Sequence, residues 1–223
     1  TLHRMPPRTK AKLEIGKDIP TRDEIQRIIE AAAPGKARAQ LLTAALTGMR
    51  ASELRGLRWS DVDLAKRQIN VRQRADRYRK IGQPKSVAGT RTIPIGDMVV
   101  NTLREWRIQC PKGLANLVFP TRAGTIEYHP NVVQRILWPA LLGAGVVDAR
   151  GKPKYGMHAL RHFYASWCIN RKADGGLELP PKSVQARLGH ASIVMTLDIY
   201  GHLFPSHDDG AELAAAERAL FAT

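Results

Sequence analysis

The sequence predicts a mainly α-helical domain with a small antiparallel β-sheet set into it, an α+β arrangement, and three observations carry that prediction. Most of the chain places apolar residues three and four apart between recognisable helix caps. The stretch from Ile69 to Ile95 changes instead to short β-branched runs broken by Gly and Pro. The 223 residues contain no internal repeat and no composition break large enough to divide the globular part, so one core is expected.

In chain order, residues 1 to 19 read as a basic arm or linker remnant with Pro6 and Pro7, residues 20 to 205 as the folded domain, and 206 to 223 as a C-terminal tail segment. Thr21 opens the first helix, and Glu24 three residues on completes a capping box ahead of Ile25, Ile28, Ile29 and Ala32. Pro34-Gly35 ends it. A second helix over about 37 to 47 turns Leu41, Leu42, Ala45 and Leu46 inward and stops at Gly48, and a third follows over about 52 to 57. Arg50 thus lies at the junction of two helices. Strands are expected around Ile69 and Val71, over 72 to 79 as a strand or extended turn, and over 91 to 95, with a mobile segment holding Gly82, Pro84 and Gly89 between the last two. Helices then cover about 97 to 109 and 131 to 142, the second with Pro139 as a kink or boundary. The last third holds helices over 158 to 170, from Pro181 to 188, from a Ser192 cap toward Tyr200, and over 211 to 221. The terminal helix carries Leu213, Leu220 and Phe221 on one side and is expected to pack on its own domain or on a partner's.

Composition excludes several classes. Cys110 and Cys168 stand alone, so neither a disulfide framework nor a thiolate zinc cluster is available. Charge or Pro interrupts every apolar run far short of a membrane span, and no secretory signal is visible, so a cytoplasmic location with no membrane partner is expected. The positive clue is charge: 35 basic against 20 acidic residues give a net +15, the balance of a polyanion binder. The excess is directional. Residues 66 to 91 carry Lys66, Arg67, Arg72, Arg74, Arg77, Arg79, Lys80, Lys85 and Arg91 against Asp76 alone, whereas acidic residues dominate after 198. Arg72, Arg74, Arg77, Arg79, Lys80 and Arg91 are therefore the candidate DNA contacts.

No P-loop, dinucleotide fingerprint, HExxH or glycine-framed serine elbow occurs. His158 and His162 lie four apart on a helix, but the basic residues around them would repel a metal cation, so no metal and no cofactor are expected. An anion suits the place better. His158 and Arg161 are helical neighbours near unpaired N-terminal N–H groups. Arg50 sits at a tight turn with Glu53 three residues on, His190 follows a helix-ending Gly189, and Tyr200 comes ten residues later. The four tryptophans, Trp59, Trp106, Trp138 and Trp167, read as core, and His162 as structural with a supporting role as its alternative.

Taken together, TGMRASEL at 47 to 54, the lysine of QPKS ahead of RTIPI, HALRH at 158 to 162, LGH at 188 to 190 and DIYGH at 198 to 202 resemble the tyrosine recombinases or phage integrases, specifically their C-terminal catalytic domain. The resemblance covers about residues 20 to 205. It implies that Arg50 and Arg161 clamp the nonbridging oxygens of a scissile phosphate, that Lys85 protonates the departing 5′ oxygen, that His158 and His190 are hydrogen-bond and proton-transfer partners, that Tyr200 is the nucleophile, and that Glu53 supports the arginine site. Lys80 shares the segment of Lys85 and stands as its alternative; Tyr155 and Tyr164 stand as rivals to Tyr200. The implied reaction is a metal-free transesterification on double-stranded DNA through a 3′-phosphotyrosine. Fixed cations hold the charge of the pentavalent state and are expected to favour the tyrosine's phenolate. The resemblance also implies a tetramer of the full-length protein on two DNA sites and a monomer for the isolated domain. A type IB topoisomerase and a DNA-binding module without activity are the competing readings.

Overall fold

The computed structural model describes residues 12 to 205 and 209 to 221, so most of the expected N-terminal arm and the start of the tail lie outside the described residues. The part of the arm that is described is docked: Ile19 is fully buried and belongs to the main core. Burial of one such side chain contributes about 1.5–3 kcal/mol, enough to hold the residues just ahead of the first helix against the core.

That helix, α1 (Arg22–Ala31), starts in the expected capping box, with the Glu24 N–H donating to Thr21 Oγ1 at 3.1 Å and the Thr21 N–H to Glu24 Oε2 at 2.8 Å. Helix α2 (Lys36–Thr47) is buried almost all round, and Thr43 and Thr47 satisfy their hydroxyls on the carbonyls of Ala39 and Thr43, as a polar group in a dry helix must. It packs against α4 (Asp97–Gln109) and α7 (Met157–Ile169), making it the central rod of the domain. Helix α3 (Ala51–Gly56) follows after Gly48, which takes the left-handed conformation that ends α2.

Three short antiparallel strands form the sheet, in the order β1 (Val62–Asp63), β2 (Gln68–Val71), β5 (Arg91–Pro94). The register sets Ile69 opposite Ile93, both fully buried. A separate hairpin pairs β3 (Arg74–Ala75) with β4 (Ile81–Gly82). Buried Arg55 of α3 ties that hairpin to the body by donating to the carbonyls of Ala75 and Asp76 at 2.9 and 3.0 Å.

After α4 the chain runs through α5 (His129–Val132), a π-helical turn (Val133–Leu137) and α6 (Trp138–Gly143). Pro139 has no N–H to give and crowds the carbonyl four residues back, and the helix widens just before it: the Trp138 N–H reaches Val133 O, five residues back. The extra residue offsets the 3.6-residue period. Trp138, expected in the core, is 40% exposed, while Leu137 and Leu141 are buried. Trp59 and Trp106 are buried as expected; Trp167 is only partly so, its Nε1 donating to Gly175 O at 3.0 Å.

Helix α7 divides the core. One face joins the main cluster through Met157, Leu160 and Phe163; the other meets α8 (Pro181–Leu188) and α9 (Ile193–Tyr200) in a second cluster that contains Tyr200. The terminal helix α10 (Asp209–Phe221) leaves Leu213, Leu220 and Phe221 exposed, so these residues do not pack on their own domain.

Candidate active site

Three turns converge on one end of α7. The first joins α2 to α3 and sets Arg50 at the α3 N-cap, where its backbone N–H donates to Glu53 Oε2 at 2.9 Å and its Nη1 to Glu53 Oε1 at 2.8 Å. The second is the start of α7, which carries His158 in its first turn and Arg161 one turn later. The third closes α8 with left-handed Gly189 and presents His190. Arg161, 2% exposed, bridges two of the turns by donating to Gly48 O and Leu188 O, both at 2.6 Å. Arg50 reaches the third, its Nη2 donating to Gly189 O at 3.4 Å.

Glu53 is buried between two guanidiniums. Burial opposes its charge, but Arg91 and then Arg50 outweigh that and hold the carboxyl below its ordinary range. Arg91 donates to both carboxylate oxygens, at 3.2 and 2.9 Å, and to the Arg187 carbonyl at 2.8 Å. This corrects the expectation that Arg91 contacts DNA: its side chain is 5% exposed and is occupied with Glu53. Strand alternation was the available signal, because residues two apart share a face and Ile93 is buried. The other candidate contacts do face solvent: Arg72, Arg77, Arg79 and Lys80 are exposed and Arg74 is partly so, with the Arg77 guanidinium lying 4.7 Å over the Tyr78 ring. Arg72 pairs with Asp61 at 3.8 Å.

His190 is buried. Its Nδ1 lies 3.0 Å from Thr196 Oγ1 and its backbone carbonyl accepts from Gln185 Nε2 at 3.1 Å. Its ring runs parallel to that of Tyr200 at 6.3 Å. Burial, then the charges of Arg161 and Arg50, push its pKa down to about 4, so it is neutral near pH 7. His158 is pushed in the same direction by burial and by Arg161 and Arg50, yet its side chain opens to solvent at the mouth of the site.

Tyr200 is 1% exposed and raised to about 12 by burial, against the opposing pull of Arg161 and Arg50. Arg161 and Arg50 favour the phenolate, as expected, but burial outweighs them and the hydroxyl stays protonated near neutral pH. The Tyr200 hydroxyl lies 2.7 Å from Nδ1 of His162, which the sequence reads as structural with a supporting role as its alternative. The rival tyrosines are committed elsewhere: Tyr155 donates to Glu24 Oε2 at 2.8 Å, and buried Tyr164 fills the space beside Gly48 with its hydroxyl 3.4 Å from Arg187 Nη1.

The structure thus brings together Arg50, Glu53, His158, Arg161, His190 and Tyr200, and adds Arg91 and His162. It leaves Lys85 exposed on the loop after β4 and Lys80 exposed in the turn before it, with no hydrogen bond or ion pair joining either side chain to the group among the described residues. Chemically the cluster is an anion receptor built around a phenol. Guanidiniums fixed by carbonyls and a buried carboxylate present N–H donors without reorganising, the arrangement that stabilises charge gained in a transition state.

The model of the phage integrase family matches residues 20–207. The chain is 27% identical to a tyrosine recombinase XerC-like protein of Caldanaerobacter subterraneus subsp. tengcongensis, over 93% of this chain and 56% of that protein. It is 32% identical to tyrosine recombinase XerC of Xylella fastidiosa, over 70% of this chain and 45% of that protein. The chain spans about half the length of the curated relatives it matches. Among solved structures it superposes on the Tn1549 transposon integrase bound to transposon right end DNA with a TM-score of 0.68 at 22% identity, covering 95% of this chain and 68% of that one. It superposes on the catalytic domain of bacteriophage HP1 integrase with a TM-score of 0.53 at 21% identity, covering 91% and 95%. At these identities the likeness speaks for the fold, a mainly helical domain with a small antiparallel sheet.

Proposed function

The chain belongs to the phage integrase family, and from that membership we propose that it is the catalytic part of a site-specific DNA recombinase that cuts and rejoins strands through a 3′-phosphotyrosine. The observation that carries this reading is the position of Tyr200, buried with its hydroxyl on His162 and its ring beside His190, within the field of Arg161 and Arg50.

Arg50 and Arg161 hold the nonbridging oxygens of the scissile phosphate, with His158 at the mouth and His190 completing the donors. Tyr200 Oη attacks phosphorus while its proton passes to the site's imidazoles, with His158 and His190 as the proton-transfer partners; the O–H bond breaks as the P–Oη bond forms, and the P–O5′ bond breaks. The leaving O5′ takes a proton from Lys85, whose exposed loop can close over bound DNA. Rejoining is the reverse, with the 5′-OH of another strand as the attacking group, so the tyrosyl ester conserves the bond energy between the two steps. Glu53 keeps Arg50 and Arg91 in register without touching the phosphate. The cations supply the charge stabilisation, and among the described residues no group of three or more His, Cys, Asp or Glu could hold a metal ion. The hairpin bearing Arg74, Arg77, Arg79 and Lys80, with Arg72 just ahead of it, lies along the DNA backbone. The full-length protein works as a tetramer on two DNA sites, and the isolated domain is a monomer.

The test is covalent capture from a pool of nicked duplexes randomised around the nick, in the presence of chelator. An adduct resistant to denaturation, mapped by mass spectrometry to Tyr200, is the expected result. Tyr200→Phe should abolish it while leaving DNA binding nearly intact, and Arg161→Ala should slow its formation at least about 100-fold, the scale for losing a preorganised donor. DNA attached to any other residue overturns the assignment.

A further inference from the structure

The buried Arg91 side chain reaches beyond the carboxylate that it neutralises. Its Nη1 and Nη2 donate to Glu53, its Nε to Arg187 O at 2.8 Å, and its Nη1 also to Gly89 O at 3.0 Å. Arg187 directly precedes Leu188 and Gly189, whose carbonyls receive Arg161 and Arg50. Gly89 closes the short turn Val87–Gly89, which ends the loop carrying Lys85. We propose that Arg91 is the positioning residue for the proton donor, fixing the base of the Lys85 loop against the same carboxylate that sets Arg50, so that ammonium and guanidiniums meet one phosphate in register.

The proposal rests on Lys85 being the donor to O5′ and follows from how its loop is held. Lys85 is exposed, but the residues beside it are seated. A Cβ on Gly89 would lie 2.5 Å from Pro84 Cβ, so Pro84, next to Lys85, packs directly on the backbone of buried Gly89. The Gly89 N–H donates to Ser86 O at 2.9 Å and the Thr90 N–H to Val87 O at 3.0 Å, which ties these residues into one short coil. The Ala88 carbonyl oxygen lies against Gly189, where a Cβ would come within 2.7 Å of it. The base of the loop therefore rests on the turn that presents His190, and Arg91 spans from that base to Glu53. Lys80 is held differently: its turn closes on Asp76, whose Oδ1 accepts the Lys80 N–H at 2.9 Å. Arg91 thus bears on Lys85 rather than on Lys80.

The chemistry of the side chain suits the task. The planar fork of a guanidinium covers both carboxylate oxygens while its remaining N–H groups turn to carbonyls on either side. A lysine keeps the charge beside Glu53 but cannot span the same acceptors. In the step that this serves, an N–H bond of the Lys85 ammonium breaks and an O5′–H bond forms as P–O5′ breaks. On rejoining, the neutral amine takes the proton of the attacking 5′-OH. Each transfer needs Nζ within about 3 Å of O5′, so a displaced loop base slows this step while Arg50 and Arg161 still hold the phosphate.

The experiment measures single-turnover cleavage of one duplex recovered from the randomised pool, made with either oxygen or sulfur at the scissile 5′ position. A thiolate leaves without being protonated, because a thiol is far more acidic than an alcohol. Lys85→Ala should cleave the oxygen duplex at least roughly 100-fold more slowly and the sulfur duplex at close to the rate of the unsubstituted chain. Arg91→Lys should show the same pattern, slowed on oxygen by about 10- to 100-fold and largely restored on sulfur, with unchanged anisotropy of labelled DNA. Combining it with Lys85→Ala should slow the oxygen duplex no further than Lys85→Ala alone. Gly89→Ala approaches from the loop side, since its Cβ displaces Pro84 and leaves the Arg91–Glu53 pair in place; it too should be slow on oxygen and restored on sulfur, and it carries the test if Arg91→Lys fails to fold. An unchanged oxygen rate in the folded variants overturns the proposal. So does an Arg91→Lys defect of equal size on both duplexes, which would place its effect on Arg50 alone. A Lys85→Ala defect that sulfur fails to relieve would instead overturn the reading of Lys85 as the donor.

Discussion

At Glu53 one buried carboxylate faces two guanidiniums, and at His190 and His162 two neutral imidazoles sit among cations; these groups make the site sensitive to pH in separable windows. Glu53 is held below the ordinary carboxylate range, so its contribution to stability is present above that range and is lost as pH falls through the lowered value. The histidines act earlier. Their pKa is about 4 in the folded chain against 6.5 for a free imidazole, so between those values the unfolded chain binds a proton that the folded chain refuses. Stability is therefore full above about 6.5 and falls as pH drops toward 4. The thermal midpoint should decline from pH 7 to pH 5, before any ordinary carboxylate is protonated. His190→Asn should remove roughly 2 kcal/mol of that difference, as measured by urea unfolding at the two pH values. An equally steep decline in the variant would show that His190 is not the group being titrated.

The helices were readable from sequence because their ends are local. The Thr21 and Glu24 box, Pro181 in the first turn of α8 and the Ser192 cap each act within three residues. The π turn before Pro139 and the two-residue strand β1 were not, since neither has a periodic signature of its own. The same division holds within the site. Motif residues adjacent in sequence were found, while the Glu53–Arg91 pair and the His162–Tyr200 contact each join residues 38 apart and exist only once the elements pack. Two element ends carry that packing. Gly48 and Gly189 both have positive φ, and their carbonyls accept from Arg161 and Arg50 respectively. A Cβ at Gly189 would lie 2.7 Å from the Ala88 carbonyl oxygen and 3.0 Å from Arg91 Cδ, and the φ of +64° adds strain of about 1 kcal/mol. Gly189→Ala should thus cost at least about 2 kcal/mol of stability and slow cleavage, because the shift falls on the arginine that braces Glu53. Urea unfolding and the covalent capture assay would check the two effects; normal values in both would mean that the turn is free to adapt.

Across the whole molecule the fold sorts charge as well as apolar area. About half of the net charge of +15 falls within residues 66 to 91, on the β3–β4 hairpin and its flanks, and Arg55 anchors that hairpin to α3, the helix capped by Arg50. Under the proposed function, binding and chemistry are coupled mechanically: a DNA backbone held by Arg74, Arg77, Arg79 and Lys80 would be delivered at a set distance from Arg50 and Arg161. Contacts of this kind read phosphate rather than base, so they release counterions and carry little sequence information. If about five cations engage phosphates, the logarithm of affinity for nonspecific duplex should fall against the logarithm of salt concentration with a slope of about −4 to −5. Arg77→Glu should lower affinity for unrelated sequences to the same extent and flatten that slope by about one or more. Arg91→Lys should leave the slope unchanged, because the side chain it alters is buried against Glu53 and neutralises a carboxylate instead of a phosphate. Fluorescence anisotropy titrations between low and moderate salt separate the cases, and an Arg91 variant that flattened the slope as Arg77→Glu does would return Arg91 to the DNA-facing surface.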